Sequence, residues 1–257
     1  MPTPINKIRA YIRLRLARKE LGSDSITLQM LGNDYCWVLI FYLLRSGYIN
    51  EAAQYVSENE RAIRNMDRNF PTYLASYVAD PDRRLTPNLQ TKINTEYQSR
   101  TRNAPENSLD PYRIACFKVI GRCDLSRRSM EGVNQTMEDW VWLQFALARE
   151  VNRAEETRGE VFGLEDLRNV FADIGQRHFK DNESEGGFAT FFYLQILAGM
   201  FERAVSYLYP HNYVSAVHFA IALSYHGLLR VSDFNVTEAD LRKLTSNIAL
   251  FWLVLIN

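Results

Sequence analysis

The sequence predicts an all-α protein, an irregular α-helical solenoid of stacked antiparallel helix pairs. Three observations predict it. Apolar residues recur at helical spacing, as in Ile5, Ile8, Ile12 and Leu16 and in Leu164, Leu167, Val170, Phe171 and Ile174. No segment alternates apolar and polar residues for long enough to support a sheet. Finally, a helix–glycine–helix joint occurs twice, in FYLLRSGYINEAAQYV (41–56) and QILAGMFERAVSYL (195–208). Aligning them puts Gly199 under Gly47, Ala204 under Ala52, Tyr207 under Tyr55 and Leu208 under Val56. A glycine that ends one helix two or three residues before the next begins is the mark of an αα-hairpin. A weaker third joint is SYHGLL (224–229). Repeated joints suggest a solenoid, but with irregular spacing they also fit unrelated hairpins in a globular helical domain.

In chain order, the first helix is expected over 5–21, basic on one face (Lys7, Arg9, Arg13, Arg15, Arg18, Lys19) and apolar on the other. This pattern fits the edge of a solenoid better than a helix lying on a membrane, because no aromatic residue anchors the apolar face. The second and third, 35–46 and 49–59, flank Gly47. Periodicity cannot tell whether the continuous apolar run Trp37–Leu44 is a buried helix or a buried strand; the helix formers after Gly47 decide for a helix. Helices at 71–79, 87–100 and 111–121 start at Pro71, Pro87 and Pro111, where a missing N–H costs nothing, and Thr86 and Asp110 are good caps. The next, 137–153, opens on the capping box Thr136-x-x-Asp139. Helices at 163–177, 188–198, 200–208 and 212–226 follow, and the last, 238–256, opens on Thr237-x-x-Asp240. The polar stretches 101–110 and 178–187 are read as loops, the first being the best place for a boundary inside a single partial solenoid spanning 1–257.

Composition narrows the function. Thirty basic and 30 acidic residues cancel, so nothing draws the chain to nucleic acid or an anionic membrane over long range. Cys36, Cys116 and Cys123 are too few for a disulfide framework and lie in apolar contexts, as buried free thiols of a reducing compartment would. The N-terminus lacks a signal-peptide layout, and no apolar stretch reaches the length of a membrane span. The chain ends inside its most apolar segment, IALFWLVLI (248–256), which is expected of a truncated solenoid whose next helices would cover it. The triplets at Asn134, Asn182 and Asn235 are chance matches to the glycosylation pattern.

Motifs of catalysis are missing: there is no Walker loop, GxSxG, HExxH or GxGxxG, and no residue is assigned a catalytic, cofactor-binding or metal-binding role. His178, His211, His218 and His226 form no ligand set. DNESEGGF (181–188) imitates the start of a calcium loop, but Phe192 stands where the closing glutamate should be, so it is read as a solvated acidic turn. Arg100, Arg102, Arg122, Arg127 and Arg128 could touch phosphates, although an ordinary solvated face is the simpler reading.

Four blocks carry a family resemblance: VLIFYLLRSGYINEAAQYV (38–56), NFPTYLASYVADPDRRL (69–85), DPYRIACFKVIGRCDLSRRS (110–129) and EDWVWLQFALARE (138–150). The order Asp110-Pro111-Tyr112, then Gly121-Arg122-Cys123-Asp124-Leu125-Ser126-Arg127, then Glu138-Asp139-Trp140 resembles the nucleoporin-interacting-component family. These are the linker scaffold nucleoporins of the nuclear pore's inner ring. The later FATFFYLQILAGMFERAVSYLY and AVHFAIALSYHGLL extend the resemblance over essentially the whole chain.

The resemblance implies a solenoid that folds back on itself as in vesicle-coat scaffolds, with no enzymatic activity and no cofactor. It implies a structural role in the pore, at the nuclear envelope, supporting transport of protein and messenger RNA. The expected partners are other nucleoporins, both linkers and large scaffold members. No small-molecule substrate and no direct nucleic-acid contact are expected, and attachment to the envelope would be indirect. Family members are longer, so their N-terminal and C-terminal parts, including the segment that recruits channel nucleoporins, are expected to be missing here. Two rival classes stand beside this reading. A helical-repeat adaptor or vesicle-coat-type scaffold outside the pore would share the fold but lack the GRCDLSR and EDWVW blocks. An all-α enzyme would need convergent carboxylates such as DDxxD, and the sequence has none.

Overall fold

The structure is a computed structural model that describes residues 3–21, 28–103, 110–130, 132–133, 136–150, 161–178 and 187–229. Two compact units divide the chain, Met1–Phe162 and Gly163–Asn257.

The first unit holds helices α1 (Pro4–Ala17), α2 (Cys36–Arg45), α3 (Ile49–Glu58), α4 (Glu60–Met66), α5 (Phe70–Ala79), α6 (Pro87–Asn103), α7 (Pro111–Gly121) and α8 (Met137–Leu147). A two-stranded antiparallel ribbon, β1 (Met30–Leu31) with β2 (Asp34–Tyr35), leads into α2, pairing Met30 with Tyr35 and Leu31 with Asp34. Helix α2 is apolar all round, and every residue from Cys36 to Leu44 is buried, as such a helix must be. It packs against α1, α3 and α7. Helix α7, buried from Ala115 to Gly121, also contacts α5, α6 and α8. Aromatic rings lock these two helices to their neighbours edge to face: Trp37 on Phe70 at 4.7 Å, Phe41 on Tyr112 at 5.5 Å and on Trp142 at 5.6 Å.

The second unit contains α9 (Leu164–His178), α10 (Gly187–Leu197), α11 (Phe201–Leu208) and α12 (Tyr213–Tyr225). Helix α10 packs on α9 and α11, and α11 on α12. Val205, Leu208, Ala216, Ala220 and Leu223 form a core between the last two, with Phe192, Ile196 and Phe201 packed beside it.

Both expected joints are helical hairpins. Gly47 and Gly199 take φ +79° and +67°, a region closed to most side chains, and the same pair of hydrogen bonds closes each helix. Tyr48 N–H donates to Leu43 C=O at 2.9 Å and Gly47 to Leu44 at 3.1 Å. Met200 N–H donates to Gln195 C=O at 2.9 Å and Gly199 to Ile196 at 3.0 Å. Two of the aligned pairs match in environment: Ala52 and Ala204 are fully buried, at 0%, and Val56 and Leu208 are buried with them, whereas Tyr55 is buried and Tyr207 half-buried. Gly227, φ +66°, closes α12 in the same way through Leu228 N–H to Leu223 C=O at 2.9 Å.

Start signals also hold. The Asp110 carboxylate accepts the Tyr112 N–H at 3.0 Å, and Thr136 and Asp139 form the full capping box. Differences are local. Sequence reasoning misses α4, seven residues without a proline or glycine at either end. Helix α6 runs on to Asn103, into the stretch read as a loop, and α6 and α7 on either side of that stretch pack together. The helix expected over 137–153 stops at Leu147, because Arg149 turns its N–H to the carbonyl of Phe162 at 2.8 Å instead. The helix expected over 238–256, its capping box and the acidic turn 181–186 lie outside the described residues. Among those described, no helix is long and apolar enough to cross a membrane.

Candidate functional site

The four blocks on which the family resemblance was first read lie inside the first unit. Asp110, 2% exposed, caps α7 with one carboxylate oxygen and accepts the Gln29 N–H with the other at 2.8 Å. The Gln29 side chain in turn accepts from the Trp37 indole at 2.5 Å. One carboxylate thus joins the start of α7 to the strand ribbon and to α2. Desolvation raises the Asp110 pKa, while the N–H groups of Gln29 and Tyr112 pull the other way. Next to it Tyr112 is fully buried, and Tyr42 accepts a hydrogen bond from buried Arg15 at 2.5 Å. Ile8 and Ile12 of α1 are buried and the helix packs on α2, while Ile5 and Leu16 stay half-buried and Tyr11 and Leu14 exposed.

The 121–128 turn is wired around a buried amine. Lys118 is 1% exposed, and its Nζ donates to the carbonyls of Arg127 at 2.6 Å and Asp124 at 3.2 Å. Burial lowers its pKa below the usual lysine range. Arg122 and Asp124 adopt left-handed backbone, φ +47° and +53°, so the chain can double back over the lysine. Arg122 Nε donates to Leu147 C=O at 2.9 Å, which ties the end of α7 to the end of α8. Arg128 donates to the Gln144 side-chain oxygen at 3.2 Å, and the Gln144 amide returns a bond to the Arg128 carbonyl at 2.9 Å. The Arg128 guanidinium stacks over Phe162, 4.4 Å from the ring centre. Asp139, of the capping box, pairs with Arg45 at 2.7 Å, and Arg45 lies over Trp142 at 5.1 Å.

A second buried node was not legible in sequence. Asp67, its side chain 1% exposed, receives Arg100 from α6 and Arg113 from α7, both at 2.7 Å on the same oxygen. Arg100 also pairs with Glu96 and sits 4.4 Å over Phe117, while Arg113 donates to Met66 C=O at 2.9 Å.

The arginine group is thus neither a phosphate patch nor a plain solvated face. Arg100, Arg122 and Arg128 are half-buried struts to carboxylate, carbonyl and amide groups, and Arg102 and Arg127 are exposed. The three cysteines are buried free thiols, as expected. His211 stacks on Phe188 at 5.1 Å, and among the described residues no group of His, Cys, Asp or Glu could hold a metal ion. A shallow groove of about 280 Å³ lies between α3, α4 and α5, lined by Ala53, Val56, Ser57, Pro71, Leu74 and Ala75 among others. Its polar lining consists of Ser57, Thr72 and the ion pair of Glu60 with Arg64, at 2.7 Å.

Comparison with known proteins places this geometry. The model of the Nup93/Nic96 family matches residues 1–255. Nucleoporin NIC96 of Chaetomium thermophilum is 52% identical over 236 residues, 91% of this chain and 21% of that protein. Nucleoporin NIC96 of Saccharomyces cerevisiae is 33% identical over 235 residues, 91% of this chain and 27% of that protein. The crystal structure of Chaetomium thermophilum Nic96 SOL superposes with a TM-score of 0.85 over 91% of this chain and 33% of that one. The chain therefore spans about a fifth to a quarter of the length of these relatives.

Proposed function

The chain belongs to the Nup93/Nic96 family, and from that premise we propose that it is part of the structural scaffold of the nuclear pore complex, at the nuclear envelope. The likeness to Nic96 SOL, 52% identical at TM-score 0.85, carries the reading. Within the pore we assign it to the inner ring, as a solenoid segment that supports passage of protein and messenger RNA by holding other nucleoporins. A non-catalytic role agrees with how the charged residues are used. Asp110, Lys118 and Arg113 are occupied in joining helices, and Asp67 spends one of its two oxygens on Arg100 and Arg113. The fold-back course of the whole solenoid and the partition of partners belong to the longer protein. An adaptor or vesicle-coat role outside the pore has no observation in its favour.

The test is affinity capture of the tagged chain from nuclear-envelope extract. Linker and large scaffold nucleoporins are expected on the column, and their loss from a variant with a disrupted fold would show that the folded surface holds them. Recovery of coat subunits without nucleoporins would overturn the proposal.

A further inference from the structure

Between α5 and α6 the chain reads DPDRRLTP, residues 80–87. This segment is irregular up to Thr86, and α6 begins at Pro87. It is nevertheless held in shape. The Asp80 carboxylate accepts the N–H groups of Asp82 and Arg84, each at 2.9 Å, and Leu85 is buried. Arg84 and Thr86 are exposed. Across from the loop, Arg149 donates to the Arg83 carbonyl at 2.7 Å, Arg84 donates to the Glu150 carbonyl at 3.0 Å, and Arg83 donates to Val78 C=O at 2.8 Å.

Three guanidiniums are thus gathered around one loop. Among the described residues none of them has a carboxylate within 4.0 Å. Burial first, and then the Arg84 charge beside it, hold Arg149 below the usual arginine range, while Asp80 and Asp82 pull the other way. Like charges kept together by carbonyls, with Asp80 and Asp82 acting on Arg149 from beyond ion-pair distance, are stabilised by an anion that comes closer. Two residues after Arg84 in the same loop stands Thr86, which is exposed and is followed by a proline with no N–H and a fixed φ.

We propose that Thr86 is a phosphate-acceptor site for a proline-directed protein kinase, and that Arg83, Arg84 and Arg149 hold the phosphate once it is there. In the transfer, Thr86 Oγ1 bonds to the γ-phosphorus of ATP and the bridging β–γ P–O bond breaks. ADP leaves, and the hydroxyl proton passes to the kinase's base. The product carries a charge of about −1.5 to −2 and three acceptor oxygens, and it lies at the positive end of α6.

The experiment incubates the purified chain with ATP and a cyclin-dependent kinase, then maps phosphate by mass spectrometry. One phosphate at Thr86 is expected, absent in Thr86→Ala and reduced at least about tenfold in Pro87→Ala, whose folding is checked by circular dichroism. The phosphorylated chain should melt about 2–4 °C higher than the unmodified one, a gain that shrinks in Arg84→Ala and in about 0.5 M salt. Phosphate entering a peptide of residues 80–92 but not the folded chain would show the site closed and overturn the proposal. So would modification that survives Pro87→Ala but needs Arg83 and Arg84, because the kinase class would be wrong, or failure to modify chain and peptide alike. An unchanged melting temperature after full modification would refute the role given to the arginines.

Discussion

Replacing Asp67 by Asn tests the buried node most directly. The substitution keeps the shape of the side chain and removes its charge. Two arginines are then left facing a neutral amide: Arg113, whose side chain is 11% exposed, and Arg100, 22% exposed. Removing one partner of a buried ion pair costs about 3–5 kcal/mol, because the remaining charge stays desolvated. Two features bring the value toward the lower end. Both guanidiniums keep a second acceptor, Glu96 for Arg100 and the Met66 carbonyl for Arg113. The other Asp67 oxygen, Oδ1, has no hydrogen-bond partner, so the wild-type site is not optimal. We expect a loss of about 3 kcal/mol in urea denaturation, read as a lower midpoint at constant slope. A double-mutant cycle with Arg100→Met should give a coupling of about 1 kcal/mol or more. If Asp67→Asn costs less than about 0.5 kcal/mol with an unchanged slope, the three-helix node contributes nothing and the reasoning fails.

Ala52→Trp and Ala204→Trp, placed at the same point of two hairpins and both fully buried, should each destabilise by about 1–3 kcal/mol or more, with unchanged melting showing instead that the sites can open. Gly47→Ala should cost only about 1–2 kcal/mol, since an added Cβ meets nothing there and only the φ of +79° is strained. Gly175→Ala should cost more, because its Cβ would run into the Phe191 ring; equal denaturation midpoints for the two variants would contradict this. Stability should also fall in alkali: burial pushes the Cys36 and Cys123 thiols up to about 12 and Cys116 well above its ordinary value of 9.0. With folded pKa values raised, the thiols' contribution is complete below pH 9 and is lost as the pH climbs toward 12, by about 1 kcal/mol per thiol at pH 10. Lys118, held low by burial, titrates with the opposite sign, but it is one group against three. A flat stability profile between pH 8 and about 10 in denaturant titrations would refute the burial of these thiols.

The helices were legible because their ends were marked. Pro87, Pro111, the Thr136 box, Gly47 and Gly199 punctuate the chain by steric rules that hold without tertiary context. Helix α4 had no such mark, and the end of α8 depends on Arg149 meeting Phe162, a contact that no local rule anticipates. The charged interior was hidden for a related reason. Lys118 and Asp67 look like surface residues, and only their distant partners, the 124–127 carbonyls and the arginines of α6 and α7, make burial tolerable. Where the proposed partners would bind was not written in any local pattern, because a helical docking surface needs no reactive group.

The stretch that most clearly announces the family, the turn from Gly121 to Arg127, is spent on closing over Lys118 and bracing α8. What it contributes inward is the Arg122 guanidinium, the buried Cys123 and Leu125 and two backbone carbonyls, while the side chains of Asp124, Ser126 and Arg127 stay exposed. A turn that is spent on bracing its own helices says nothing by itself about what the outward faces grip. Anyone wishing to graft a new specificity onto this framework has the outward faces of its helices to rewrite, and should leave Gly121, Arg122, Cys123 and Leu125 alone.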